Sequence, residues 1–113
     1  PQRWFTEAYV QAHADKVARA QAWITATDPE GYAACCEALA VSDLRPDLGR
    51  ITVPTLIVAG ADDPVTTVAD AVAMQTAIAG ATLATVPASH LSNLEAEAAF
   101  NEALAGFSAT LRS

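Results

Sequence analysis

The sequence predicts an α/β fold in which a helical block precedes two parallel β-strands joined by a crossover helix. Three observations carry this reading. The first 40 or so of the 113 residues are alanine-rich, with bulky apolar groups spaced three or four apart. Two short apolar runs, 54–59 and 82–86, have the length and continuity of strands buried in a parallel sheet. Helix-forming stretches follow each run, giving the alternation of a βαβ unit. With 52% hydrophobic and 17% charged residues, the chain has enough apolar mass to form a core and is not disordered.

The helical block divides into three. Phe5 and Tyr9 share the face of a first helix that ends near His13. Asp15 is placed to cap a second, which carries Val17, Ala20 and Ile24 and ends near Thr27. Asp28-Pro29-Glu30 has the form of a third start, with aspartate at the N-cap and proline at the first helical position. Trp23 and Tyr32 are expected to pack, and Cys35 and Cys36 to act as small buried hydrophobes, since no basic group nearby would stabilise a thiolate. His13 has no carboxylate or cysteine at ligand spacing, so it is assigned to packing or the helix surface, and no metal site is expected. Pro46 and Gly49 break the helical pattern over 42–50.

Pro54-Thr55-Leu56-Ile57-Val58-Ala59 is then the first strand, buried on both faces. A helix from about Thr66 to Ala79 stops at Gly80, where glycine can take the left-handed conformation. Thr82-Leu83-Ala84-Thr85-Val86 is the second strand. Ser92 and Glu95 have the spacing of a capping box for a last helix reaching Leu111, with Leu94, Phe100, Leu104 and Phe107 on or near one face.

A right-handed crossover between parallel strands brings the loops after Ala59 and Val86 to the same sheet edge, where ligands of open α/β sheets sit. If the strands are neighbours, about 5 Å apart, side chains 27 positions apart can touch. One loop, Gly60-Ala61-Asp62-Asp63-Pro64, offers carboxylates, and the other, Pro87-Ala88-Ser89-His90-Leu91, offers an imidazole. A carboxylate bonded to one imidazole nitrogen fixes the tautomer and stabilises the imidazolium, leaving the other nitrogen to take a proton from a nucleophile. Position alone does not choose between Asp62 and Asp63.

The order strand, G-x-x-D, helix, strand, His-bearing loop, helix resembles the last two βα units of the α/β-hydrolase fold, whose triad runs Ser, acid, His. More narrowly, Arg3-Trp4-Phe5-Thr6, Asp28 to Cys36, Asp43-Leu44-Arg45 and His90-Leu91-Ser92-Asn93-Leu94-Glu95 are similar to the 3-oxoadipate enol-lactonases, over nearly the whole chain. The resemblance implies that Asp63 is the catalytic acid, that His90 is the base, and that Asp62 is a solvated neighbour. It implies a helical lid over residues 1–47, with 48–113 the C-terminal part of the hydrolase core. The implied reaction is hydrolysis of 3-oxoadipate enol-lactone to 3-oxoadipate, in bacterial breakdown of protocatechuate or catechol by the β-ketoadipate pathway, with no cofactor. Arg3 and Trp4 would then either meet the free carboxylate of the lactone, guanidinium beside an aromatic wall, or divide, with Trp4 packing beside Phe5 between lid and body and Arg3 a solvated charge. A carboxylesterase or a C–C hydrolase of the same superfamily is the other enzymatic expectation.

No G-x-S-x-G occurs among Ser42, Ser89, Ser92, Ser108 and Ser113. The triad serine is therefore expected outside these residues. The absence of an initiator methionine, with a start inside a helical pattern, suggests a fragment or a processed chain. Its expected partners are a small lactone or ester and either the N-terminal half of a hydrolase or a second copy, because a two-stranded sheet leaves a strand edge open. As it stands, the chain could also be a non-catalytic interaction fragment. The net charge of −7 gives no electrostatic reason to bind nucleic acid or an anionic membrane. No apolar run approaches the roughly 20 residues of a membrane span. Adjacent cysteines with no third partner fit a reducing cytoplasm.

Overall fold

The computed structural model describes residues 2–112. Three helices come first: α1 Glu7–Ala12, α2 Ala14–Thr25 and α3 Pro29–Val41. A 3-10 turn, Arg45–Arg50, leads into β1 Leu56–Gly60, followed by α4 Val68–Ala77, β2 Thr82–Val86, α5 Ser92–Glu95 and α6 Glu97–Thr110. The fold is α/β, with a parallel two-stranded sheet, as the alternation predicts. Among the described residues, no helix is long and apolar enough to cross a membrane.

Local chemistry sets the helix ends. Thr6 caps α1 by accepting from the Tyr9 N–H, and Asp28 caps α3 by accepting from Gly31 N–H, with Pro29 at the first turn. Thr67 and Asp70 form a reciprocal capping box on α4. Gly80 takes φ 75° in the turn after α4, the backbone region that glycine enters at least cost. Asp15 does not cap α2. Residue 13 fills that position without a side-chain bond, while the His13 ring lies 4.5 Å from that of Tyr9.

The two strands run in register from Leu56 opposite Thr82 to Gly60 opposite Val86. Pairing continues past the strand ends, where Ala61 N–H donates to Val86 O at 2.9 Å and Asp62 N–H to Ala88 O at 3.0 Å. Gly60 makes this approach possible. A Cβ there would sit 2.3 Å from the Ser89 carbonyl oxygen and 2.5 Å from that of Ala88.

The strands are less covered than the sequence pattern implies. Only their C-terminal ends, Ala59-Gly60 and Val86, are fully buried, because α4 and α6 pack on them while each strand has a single neighbour among the described residues. The main side-chain cluster lies elsewhere: Phe5, Tyr9, Val17 and Ala20 are buried together, with Trp4, Leu91 and Leu94 packed against them. The helical block thus rests on the segment that follows β2.

Three packing expectations are corrected. Cys35 and Cys36 are exposed, and α3 contributes no buried side chain, since no described element covers it. Trp23 and Tyr32 are 54% and 61% exposed rather than packed. The last helix is two helices, and Ser92 with Glu95 makes no capping box. The Glu95 carboxylate is engaged elsewhere, and α5 ends after four residues.

Candidate active site

The site is built by the two loops that leave the sheet at the Gly60–Val86 rung. Asp63 lies in the first, three residues past β1, and His90 in the second, four past β2. Their side chains meet, with His90 Nδ1 2.9 Å from Asp63 Oδ2. Asp62 is exposed, and its carboxylate has no partner among the described residues, so the structure joins His90 to Asp63 and not to its neighbour.

Asp63 is nearly enclosed, its side chain 4% exposed. Oδ1 accepts from the backbone N–H groups of Val65 at 2.7 Å and Thr66 at 3.1 Å; Oδ2 accepts from the Thr66 hydroxyl at 2.8 Å as well as from His90. That occupies the roughly four lone-pair positions of a carboxylate. Burial pushes the Asp63 pKa up, but the hydrogen bonds from His90, Val65 and Thr66 outweigh it and hold the group at about 2.

This ionisation fixes the imidazole tautomer. An ionised carboxylate can only accept, so His90 Nδ1 must carry the hydrogen, and in the neutral ring Nε2 is the basic nitrogen. Nε2 has no hydrogen-bond partner among the described residues, and the His90 side chain is 33% exposed. The imidazole is held by a buried anion at Nδ1 and is open on the side away from that anion. Both residues line a cavity of about 90 Å³ with Gly60, Thr66, Met74 and Ser92. A larger groove of about 260 Å³, between α2 and the α5–α6 junction, shares no lining residue with it.

Thr66 is a site residue that sequence reading missed, although a signal was present. Aspartate followed two and three residues later by free backbone N–H groups is the Asx-turn pattern, and Asp63-Pro64-Val65-Thr66 has it. Arg3 is exposed and Trp4 half-buried against the Phe5 cluster. Their backbone carbonyls, rather than their side chains, reach the histidine loop: the Ser89 hydroxyl donates to Arg3 O at 3.5 Å and Leu91 N–H to Trp4 O at 2.9 Å. Among the described residues, no group of three or more His, Cys, Asp or Glu side chains is arranged to hold a metal ion.

A parallel βαβ unit with an acid and a histidine on its carboxyl-edge loops, preceded by a helical block, is the C-terminal portion of an α/β-hydrolase fold, and likeness to known proteins agrees. The chain matches no family profile. It is similar to the 3-oxoadipate enol-lactonases. It is 46% identical to 3-oxoadipate enol-lactonase 2 of Acinetobacter baylyi over 102 residues, 90% of this chain and 38% of that protein. To 3-oxoadipate enol-lactonase 1 of the same organism it is 38% identical over 105 residues, 93% of this chain and 40% of the relative. Among solved structures, the enol-lactonase from Burkholderia xenovorans superposes with a TM-score of 0.91 at 39% identity, covering 93% of this chain and 40% of the other. A hydrolase from Pseudomonas aeruginosa superposes at 0.87 and 40% identity, covering 94% and 40%. The chain therefore spans about 40% of the length of the curated relatives it matches.

Proposed function

We propose that these residues supply the acid, the base and part of the lid of a hydrolase acting on 3-oxoadipate enol-lactone. The Asp63–His90 contact at 2.9 Å, with Nε2 left open, carries this reading. A serine hydroxyl from a segment outside these 113 residues gives its proton to His90 Nε2 as its oxygen attacks the lactone carbonyl. The ring-opened acyl-enzyme forms as the C–O bond to the enolate breaks and the enolate takes up the proton held on His90 Nε2, which frees that nitrogen again. Water, deprotonated by the same nitrogen, then attacks the acyl carbon, and the serine oxygen departs with the proton from His90. Asp63 remains ionised throughout and stabilises the imidazolium. Residues 1–47 belong to the lid, and Arg3 with Trp4 receives the substrate carboxylate.

The absence of G-x-S-x-G favours a second reading for the 113 residues alone, that of an interaction fragment without turnover. The assay uses the full-length protein that carries these residues, on the enol-lactone and on simple aryl esters, beside the chain alone. Lactone hydrolysis by the full-length protein that falls at least about 1,000-fold in His90→Gln and Asp63→Asn, and much less in Asp62→Asn, is the expected result. Ester turnover with indifference to the lactone would replace the substrate by that of a carboxylesterase. Equal losses at the two aspartates would overturn the role given to Asp63.

A further inference from the structure

Glu95 is half-buried and reaches two segments far apart in sequence. Its carboxylate accepts from the Thr6 N–H at 3.0 and 3.3 Å and from the Thr6 hydroxyl, across 89 positions, and from the Ser89 N–H at 2.8 Å. Ser89 immediately precedes His90 and is 2% exposed, so without Glu95 its N–H is a buried donor with no acceptor. Thr6 is the N-cap of α1, and its oxygen also accepts from the Tyr9 N–H at 3.3 Å. Three further bonds tie the same segments together: Leu91 N–H to Trp4 O, the Ser89 hydroxyl to Arg3 O, and the Tyr9 hydroxyl to Leu94 O at 3.0 Å. His90 therefore stands on a loop tied on both sides of it to the strap 3–6, by the Ser89 hydroxyl before it and the Leu91 N–H after it, and Glu95 supplies the only charged side chain in that bond set among the described residues.

We infer that Glu95 is a positioning residue, which couples the start of the helical block to the histidine loop and so holds His90 against Asp63. Its catalytic consequence rests on the function proposed above; the coupling itself does not. The bond set also says which replacements should fail. A glutamine offers one acceptor oxygen, so with its oxygen toward Thr6 its NH₂ faces the Ser89 N–H, donor against donor. An alanine leaves both sides empty.

The test follows the His90 Nδ1–H by NMR in the 113-residue chain, through its exchange with water, in Glu95→Ala, Glu95→Gln and Ile78→Val. Ile78 is 4% exposed, at the C-terminal end of α4. Its truncation lowers stability without touching the joint, and so reports what a merely structural loss does. Exchange should quicken about 10-fold or more in Glu95→Ala, by less in Glu95→Gln, and stay within about twofold in Ile78→Val. If Glu95→Ala does not fold, Glu95→Gln and Thr6→Ala carry the same readout, the first opposing the Ser89 N–H and the second removing the Thr6 hydroxyl while its backbone N–H stays. Exchange in the Glu95 and Thr6 variants that matches Ile78→Val overturns the inference. In the full-length protein, kcat should fall about 10-fold or more with KM nearly unchanged. A full-length protein inert toward every ester tested would defeat the proposed function while leaving the exchange result to decide the role of Glu95.

Discussion

Replacing Gly60 with alanine should separate the two loops of the site and destabilise the fold. The added Cβ would sit 2.3 Å from the Ser89 carbonyl oxygen and 2.5 Å from that of Ala88, both backbone atoms with no rotamer to adopt. Ordinary contact begins near 3.4 Å, so the histidine loop must retreat by about 1 Å. That retreat stretches the Asp62 N–H to Ala88 O bond from 3.0 Å and the His90–Asp63 contact from 2.9 Å, both beyond hydrogen-bonding range. Overpacking of about 1–3 kcal/mol, with one lost backbone bond of about 1 kcal/mol, gives a cost of roughly 2–4 kcal/mol. For a chain of this size, that lowers the melting temperature by about 10 °C. Gly106 is the internal control. It lies within α6, where an added methyl would meet no described atom within 4 Å, so Gly106→Ala should raise stability by about 0.5–1 kcal/mol. Thermal unfolding followed by circular dichroism measures both. A Gly60→Ala chain that melts within about 2 °C of the parent would show that the loops can part without cost, and the reasoning from their close approach would be wrong.

Other outcomes follow from the same geometry. Asp63 has a folded pKa of about 2, below the ordinary carboxylate value, so its stabilisation is fully present above the unfolded pKa near 4 and is lost as pH falls toward 2. That amounts to about 2 kcal/mol, and Asp63→Asn should flatten the acid limb of stability against pH in that window. Asp43, held at about 2 by the Arg45 guanidinium, titrates in the same window but lies at the exposed surface, so Asp43→Asn should change that limb much less. Thr66→Val removes the hydroxyl at 2.8 Å from Asp63 Oδ2; it should cost about 1–2 kcal/mol and raise the Asp63 pKa, read from its carboxyl carbon by NMR titration. Thr67→Ala opens the capping box of α4 and should cost about 1 kcal/mol in denaturant unfolding.

The meeting of an aspartate of the first loop with His90 could be anticipated because βαβ geometry is local in its rules, while the choice of Asp63 over Asp62 came from the resemblance alone. Two apolar runs and one crossover helix put both loops on one edge whatever the rest of the chain does. The capping of α3 by Asp28 and the left-handed turn at Gly80 were legible for the same reason, since each is settled within a few residues, although α4 itself ends at Ala77, two residues before the expected Ala79. Ser92-x-x-Glu95 was not, because the same four residues can cap their own helix or leave the carboxylate free for a distant donor. Thr6, 89 positions away, decides between these. The outward face of α3 was misread because periodicity marks an apolar stripe without naming what covers it. Cys35, Cys36 and Tyr32 accordingly lie exposed on a helix that the pattern placed inside.

The parallel pairing of β1 with β2 also acts as a ruler. Gly60 and Val86 share a rung, and both loops start counting from it. Sliding one strand by a single residue would displace its loop by about 3.3 Å and turn its side chains to the opposite face. That step exceeds the 2.9 Å bond it would have to preserve. The backbone ladder that sets this alignment, from Leu56–Thr82 to Gly60–Val86, thereby sets the distance at which the Asp63 carboxylate and the His90 imidazole are held.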